Sequence, residues 1–193
     1  MSEIIVFATN NSHKLLEIKS IMPEGFDVLG LKDIGCTTDI PETALSLEGN
    51  ADIKSLYVYE NFGRDCFADD TGLEVNALNG DPGVFSARYA GEDGNAERNI
   101  DKLLSELADI QDRKARFRTV ISLVIKGEIK HFEGIVEGQI LTERRGKDGF
   151  GYDPVFLPDG HEFSFAEMDL ELKNSISHRG RAVRKLIEYL GSL

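Results

Sequence analysis

Two adjacent carboxylates, Asp69 and Asp70, end a short apolar run in the segment FADDTGLEV, residues 67–75. Thr71 and Gly72 follow directly, and Asp, Thr and Gly are residues that β-turns favour. A Mg²⁺ ion prefers oxygen ligands and takes only one or two carboxylates when phosphate oxygens and water complete its octahedron. The segment is therefore either a plain turn between two strands or a place where a metal and a reacting water are held.

A second carboxylate for such a site is Glu42, in the segment DIPETA just before a predicted helix. Glu42 and Asp70 together would supply two oxygen ligands from separate parts of the chain. The alternative interpretation of Glu42 is ordinary acidity at a helix start, where the helix dipole favours negative charge. Of the two adjacent aspartates, we expect Asp70 to be functional and Asp69 mainly to support the turn.

The segment ATNNSHKLLEI, residues 8–18, has the residue types of a phosphate-binding site. A buried strand runs there into a polar turn and then a helix, and free backbone N–H groups at a helix start bind anions with help from the dipole. Lys14 adds a compact positive charge one turn into the helix. The glycine and lysine spacing of a Walker A loop is absent. An ordinary capped helix is the alternative.

Cationic side chains mark a further segment, ISHRG at residues 176–180. With Ser177 as the predicted N-cap, His178 and Arg179 fall in the first helical turn, where the dipole disfavours cations by about 0.3–1 kcal/mol each. Cations placed against the dipole suggest that an anion completes the site, and Lys173 lies just upstream. The alternative is an incidental pair of surface residues.

The segment GFGYDP, residues 149–154, is a candidate for binding a nucleotide base. Its glycines precede a predicted strand rather than a helix, which does not match the Rossmann fingerprint. Phe150 could stack on a base, and Asp153 could accept a hydrogen bond from a ring N–H. The alternative is a core aromatic residue beside a turn.

The elements that would position these residues follow an α/β pattern. The apolar run IIVFA, residues 4–8, is typical of a strand buried on both faces. Apolar residues at helical spacing predict amphipathic helices, and alternating or β-branched runs predict strands. The helices are expected from Ser12, near 46–62, around 100–107 and around 183–190, and the further strands on both sides of Asp69–Gly72 and in a hairpin across Lys126–Gly127.

Composition narrows the class of protein. The 193 residues suffice for one domain or two small lobes with a real core, and the 41% hydrophobic and 29% charged content is typical of a soluble globular protein. No apolar run approaches the roughly 20 residues of a membrane span, and no signal peptide is recognisable. The two distant cysteines favour a reduced cytoplasmic protein. A net charge of −12 argues against binding nucleic acid through a broad basic face.

Four segments in order resemble the signature blocks of the inosine/xanthosine triphosphate pyrophosphatases, enzymes that remove non-standard purine nucleotides. They are ATNNSHKLLEI, FADDTGLEVNALNGDPGVFSARYAG, GFGYDPVF and KNSISHRGRA. Two positions depart from the family pattern. Asn10 stands where the first block commonly has glycine, and asparagine tolerates a left-handed backbone better than most residues. Gly49 stands in EGNA where EENA is frequent, and a glycine inside a helix costs about 1 kcal/mol relative to alanine.

The resemblance implies a role for each matching residue. Asp70 would be the catalytic aspartate and, with Glu42, would hold Mg²⁺ as the cofactor. The base would be selected by a hydrogen bond to its 6-oxygen from Arg179 or from backbone donors at the start of that helix. The residues that would bind the substrate are Thr9, Asn10, Asn11, Ser12, His13, Lys14, Thr71, Phe150, Gly151, Tyr152, Asp153, Lys173, His178 and Arg179.

The resemblance also implies a fold and a reaction. The fold would be α/β, with an elongated mixed β-sheet, flanking helices and two lobes around a central cleft, formed by residues 1–193 as a single domain that dimerises with a second copy. The reaction would be Mg²⁺-dependent hydrolysis of inosine, deoxyinosine and xanthosine triphosphates to monophosphate and pyrophosphate in the cytoplasm, with no nucleic acid or membrane partner. Two alternatives are a pyrophosphatase for pyrimidine or modified nucleotides and a nucleotide-binding sensor without turnover.

Overall fold

The computed structural model describes residues 3–193. Its helices are α1 Ser12–Ile21, α2 Leu47–Phe62, α3 Ala96–Glu106, α4 Leu170–Ile176 and α5 His178–Leu190. Its strands are β1 Glu3–Phe7, β2 Phe26–Gly30, β3 Cys66–Val75, β4 Pro82–Gly83, β5 Lys114–Ile125, β6 Glu128–Ile140 and β7 Phe156–Pro158. None of the helices within residues 3–193 combines the length and the apolar character that crossing a membrane requires.

The described strands form one mixed sheet in the order β2-β1-β3-β5-β6-β7, with β4 paired to β3. Strand β1 is parallel to both β2 and β3, while the β3–β4 and β6–β7 pairs are antiparallel. The register of β1 and β3 places Phe7 opposite Phe67. Because these strands are parallel, the residues that follow β1 run alongside the residues that follow Phe67. The start of α1 therefore lies beside Asp69 and Asp70.

The predicted α/β fold class is confirmed, and so are most of the predicted elements. Helices α1, α2, α3 and α5 begin within a few residues of the stretches predicted from apolar spacing. The predicted hairpin is β5 and β6, and both residues of its turn have positive φ, 50° at Lys126 and 83° at Gly127. Positive φ at both central residues is the geometry that matches the twist of paired strands in a two-residue hairpin.

The predicted turn at Asp69–Gly72 is wrong. Residues Cys66–Val75 form one continuous strand, β3, through both aspartates. Gly72 is needed there for another reason, since a Cβ atom on it would lie 2.7 Å from the carbonyl oxygen of Gly83. Strand β2 and helix α4 were not predicted. Both are short, 5 and 7 residues, and elements of this length contain too few residues for a recognisable periodic pattern of apolar residues.

The chain divides into two compact units. The first unit contains the residues up to Asp70, Thr119–Gly134 and Arg179–Leu193, and the second contains Thr71–Arg118 and Ile135–His178. The first unit has apolar side chains on both faces of its strands, with Phe7 and Phe67 stacked at 4.7 Å between ring centroids. The second unit has a core of its own around Phe117, Phe156 and Phe165. The interpretation of these units as two lobes of one domain around a cleft stays a prediction.

Candidate active site

The two adjacent aspartates lie in the first unit, on opposite faces of strand β3. Successive side chains of a strand point to opposite faces, so Asp69 faces the helices α1 and α5, whereas Asp70 faces α2. The contacts agree with this alternation, because Asp69 is bound by Lys14 of α1 and Arg179 of α5. Continuous strand geometry, not a turn, thus gives the two carboxylates separate surroundings.

Asp69 is the centre of a buried ion-pair cluster. The Lys14 Nζ lies 2.9 Å from its Oδ1 and the Arg179 Nε lies 3.0 Å from its Oδ2. Only 2% of Asp69 is exposed. Burial alone would raise the pKa of Asp69, but the charges of Lys14 and Arg179 outweigh it and hold that pKa well below its usual range. The expectation that Asp69 mainly supports a turn is therefore wrong, because it anchors two cationic side chains.

Arg179 is fully enclosed, with 2% of its surface exposed. Its Nη1 also pairs with Glu17 of α1, at 2.5 Å from the Oε2 atom. The guanidinium group thus ties α5 to both α1 and β3. Its pKa is raised because the carboxylates of Asp69 and Glu17 more than offset its burial. Its Nε and Nη1 atoms are both bound to protein carboxylates.

Asp70 is held from helix α2. The Asn50 Nδ2 donates to its Oδ2 at 3.1 Å, and the Lys54 Nζ lies 3.9 Å from its Oδ1. Burial raises the pKa of Asp70, although the charge of Lys54 opposes the shift. A carboxylate with a raised pKa accepts a proton more readily at neutral pH than an ordinary aspartate does. Asp70 is therefore a candidate for a general base.

Lys54 connects the two carboxylates that were predicted to bind the metal. Its Nζ pairs with the Glu42 Oε1 and donates to the backbone oxygen of Asp69 at 2.7 Å. Burial disfavours its charge, but the carboxylates of Asp70 and Glu42 prevail and raise the pKa of Lys54. Glu42 and Asp70 thus lie around a common positive charge.

The donor chemistry of this cluster fits Mg²⁺. Among residues 3–193 no group of three or more His, Cys, Asp and Glu side chains is placed to hold a metal ion. Two carboxylates that already flank a cation match an ion that takes its remaining ligands from phosphate and water. Asn50 and Lys54 were not predicted from the sequence. The available signal was their separation by one helical turn, on the face of α2 that also carries the apolar residues Leu47, Ala51 and Val58.

The start of α1 is ordered by its own side chains. The Asn11 Oδ1 accepts from the backbone N–H groups of His13 and Lys14 at 2.9 and 3.2 Å, and the Thr9 Oγ1 accepts from the Asn11 N–H at 3.1 Å. Side chains therefore occupy three of the amides that were expected to meet an anion. Asn10, Ser12 and His13 are exposed beside the anchored Lys14.

Both departures from the family pattern are accommodated. Among the described residues, positive φ outside glycine occurs only at Asn79 and Lys126, so Asn10 needs no left-handed backbone. Helix α2 begins at Leu47, capped by Ser46, whose Oγ accepts from the Gly49 N–H at 3.1 Å. A Cβ atom on Gly49 would lie 2.6 Å from the Cβ of Ala44. Gly49 thus lets the segment that carries Glu42 pack against the helix.

The second unit brings the predicted base-binding residues together around Asp153. Its Oδ2 accepts from the Phe150 N–H and from the Lys173 Nζ, each at 2.7 Å. The Lys173 Nζ also lies 4.8 Å from the centroid of the Phe150 ring, within the range of a cation–π interaction. A Cβ atom on Gly149, where φ is +78°, would lie 2.3 Å from the Asp153 Oδ2. Asp153 therefore orders both the aromatic residue and the lysine.

Two predicted substrate-binding residues have side chains in the core of the second unit. Tyr152 is 5% exposed and its hydroxyl donates to the Ser86 carbonyl at 2.9 Å. The His178 ring stacks on Phe117, with 4.6 Å between the centroids. Of the remaining predicted residues, Thr71 follows Asp70 in β3 and Gly151 lies in the loop beside Phe150, both partly buried. Tyr152 and His178 are thus core residues, in contrast to the cluster of Phe150, Asp153 and Lys173.

Comparison with known proteins identifies close relatives. A family model described as the Ham1 family matches residues 5–189. The dITP/XTP pyrophosphatase of Christiangramia forsetii is 57% identical over 186 residues, covering 96% of this chain and 98% of that protein. The dITP/XTP pyrophosphatase of Flavobacterium psychrophilum is 56% identical over 185 residues, covering 96% and 97%. The structure of a HAM1 protein from Coxiella burnetii superimposes with a TM-score of 0.90 at 39% identity, covering 100% of both chains.

Proposed function

This chain belongs to the Ham1 family, and from that membership and the surroundings of Asp70 we propose that it hydrolyses inosine, deoxyinosine and xanthosine triphosphates. The products are the nucleoside monophosphate and pyrophosphate, so the enzyme removes non-standard purines from the nucleotide pool. The names of its relatives support the substrate class. The observation that carries the chemistry is the placement of Asp70, a buried carboxylate held by Asn50 and Lys54, with Glu42 paired to the same Lys54.

In the proposed reaction Asp70 accepts a proton from the water that attacks the triphosphate. Its burial supports this role because burial makes the carboxylate a better base. Lys14 and Lys54 stabilise the phosphate charge that develops in the transition state. Asp69 holds the Lys14 ammonium at 2.9 Å, so this charge is already in place before the substrate binds.

Glu42 and Asp70 are the residues that would hold Mg²⁺. When bound, Mg²⁺ neutralises phosphate charge and orients the phosphate oxygens. Glu42 is about one-third exposed at its side chain, 31%, whereas Asp70 is more enclosed at 10%. The more accessible Glu42 would therefore govern entry of the ion, and Asp70 would combine ligand and base roles.

Phe150 and Lys173 are the proposed base-binding pair. The Phe150 ring would stack on any purine, whereas the Lys173 ammonium, held by Asp153, can donate to the 6-oxygen of hypoxanthine or xanthine. Adenine has an amino group at that position and would leave the donor unpaired, at a cost of about 1–3 kcal/mol. We therefore propose Lys173 as a donor to the 6-oxygen, and Arg179 and the backbone donors at the start of α5 stay the other candidates.

A side-by-side assay of pyrophosphate release at fixed Mg²⁺ tests the proposal. Inosine, deoxyinosine and xanthosine triphosphates should have kcat/KM at least about 10-fold above adenosine and guanosine triphosphates, the effect of one polar mismatch. Adenosine triphosphate turned over within a few-fold of inosine triphosphate would contradict the base assignment. Faster turnover of a pyrimidine triphosphate would favour the alternative pyrophosphatase, and binding without pyrophosphate release would indicate a sensor.

Light scattering of the purified chain tests the proposed homodimer, and cell fractionation tests the proposed cytoplasmic location.

A further inference from the structure

Asn50, on the inner face of α2, forms hydrogen bonds to both of the segments that carry Glu42 and Asp70. Its side chain is fully buried, at 0% exposure. The Oδ1 accepts from the Ala44 N–H at 2.9 Å, and the Nδ2 donates to the Asp70 Oδ2 at 3.1 Å. Ala44 lies two residues after Glu42. A single carboxamide therefore links the Glu42 segment to the Asp70 carboxylate.

The chemistry of this link requires a carboxamide. One end must accept from a backbone N–H and the other must donate to a carboxylate, and of the side chains of this size only asparagine does both without first taking up a proton. An aspartate would keep the acceptor for Ala44 but would present a second carboxylate to Asp70. Leaving a buried polar group without a hydrogen-bond partner costs about as much free energy as its desolvation. Both hydrogen bonds therefore favour asparagine at position 50.

Helix α2, which carries Asn50, is anchored to the sheet by hydrogen bonds. The Ser122 Oγ of β5 donates to the Asp52 Oδ1 at 2.6 Å and lies 2.9 Å from the Ser55 Oγ. Ser55 and Ser122 are both fully buried. Two hydrogen-bonding residues of α2 thus fix the helix to the sheet on either side of Lys54, the residue one turn after Asn50. Asn50 and Lys54 approach different oxygens of the same Asp70 carboxylate.

We propose that Asn50 is a positioning residue that sets the orientation of the Asp70 carboxylate and its placement relative to Glu42. The inference rests on the proposed function, because it assigns Asn50 its role through Asp70. Asn50 does not touch the substrate in this role. It removes the rotational freedom of a carboxylate that must align with the attacking water, and misplacement of such a group by about 1 Å can cost roughly 10²-fold in rate.

Kinetics of Asn50→Ala and Asn50→Asp test the proposal. Both variants should lose about 10- to 100-fold in kcat for inosine triphosphate, with KM changed less than about 3-fold, because the affected group acts in the chemical step. Asn50→Asp is the sharper of the two because it keeps an acceptor for the Ala44 N–H. Asn61→Ala is the matched control, since Asn61 is exposed near the end of the same helix and its Nδ2 donates to the Tyr57 carbonyl.

The double variant Asn50→Ala/Asp70→Asn separates positioning from general damage. If Asn50 acts through Asp70, adding Asn50→Ala to Asp70→Asn should lower kcat by less than about 3-fold. A further loss as large as in the wild-type background would overturn the proposal, and so would a kcat of Asn50→Ala within about 2-fold of wild type.

Urea unfolding of wild type, Asn50→Ala, Asp70→Asn and the double variant gives a readout that is independent of turnover. Coupled residues should shift the midpoint of the double variant by clearly less than the sum of the two single shifts. Additive shifts would overturn the proposed contact. If the wild-type chain turned over no triphosphate, the proposed function would fail, while the urea cycle would still decide whether Asn50 holds Asp70.

Discussion

Replacing Asp69 with asparagine removes one negative charge from the centre of the buried cluster while keeping the shape of the side chain. Asp69 is 2% exposed and binds Lys14 and Arg179. Removing one partner of a buried ion pair costs about 3–5 kcal/mol, because the other charge is left uncompensated. Glu17 still pairs with Arg179 in the variant, so the loss falls chiefly on Lys14. We therefore expect a cost near the lower end, about 3 kcal/mol.

Thermal and urea unfolding measure this loss. For a chain of 150–250 residues, 1 kcal/mol corresponds to about 2–4 °C in Tm, so Asp69→Asn should melt about 6–12 °C below wild type. Asp27→Asn is the control, since Asp27 is exposed on β2 and surface changes usually stay within about 0.5 kcal/mol. A fall in Tm of less than about 2 °C, with activity retained, would refute the reasoning that Asp69 anchors the cluster.

The pH dependence of the same comparison gives a second test. Lys14 and Arg179 hold the pKa of Asp69 below its ordinary value against the effect of burial. A carboxylate with a lowered folded-state pKa contributes stability above its unfolded pKa of about 3.9, and this contribution is lost as the pH falls through the folded-state pKa. The stability difference between wild type and Asp69→Asn should therefore be constant from about pH 5 to 7 and shrink toward pH 2. A difference that grows on acidification would contradict the assignment.

Three further changes test other parts of the site. Asp70→Asn should lower kcat by about 10²–10⁴-fold, the range for losing a general base, as measured by steady-state kinetics. A variant with kcat and Mg²⁺ dependence near those of wild type would rule this role out. Gly49→Ala should lower the urea midpoint although alanine favours a helix by about 1 kcal/mol, because its Cβ would lie 2.6 Å from Ala44; a higher midpoint would show that the Glu42 segment moves freely. Asp153→Asn should raise KM for inosine triphosphate more than it lowers kcat, since it releases Lys173 and the Phe150 N–H, and an unchanged KM would argue against the base-binding role.

Local patterns in the sequence were sufficient for most of the helices and for the hairpin. Ile18 of α1 and Val58 of α2 are fully buried, as expected when one helical face packs on a sheet. Two apolar, β-branched runs on either side of Lys126–Gly127 predicted the hairpin, and glycine at 127 tolerates the positive φ that a two-residue turn requires. The resemblance to a nucleotide pyrophosphatase family also needed only sequence, because four ordered blocks carry it.

The surroundings of the two aspartates were decided only by the tertiary structure. Asp and Thr-Gly favour turns in isolation, yet Asp69 and Asp70 lie in the continuous strand β3. The groups that stabilise them there come from distant parts of the chain: Lys14 lies 55 residues before Asp69, and Arg179 lies 110 residues after it. The preference of these residues for turns contributes less free energy than the pairing of a buried charge does. Residue type and spacing could therefore indicate which carboxylates matter, but only the packing of α1, α2 and α5 on β3 decided which one anchors cations and which one is left as a base.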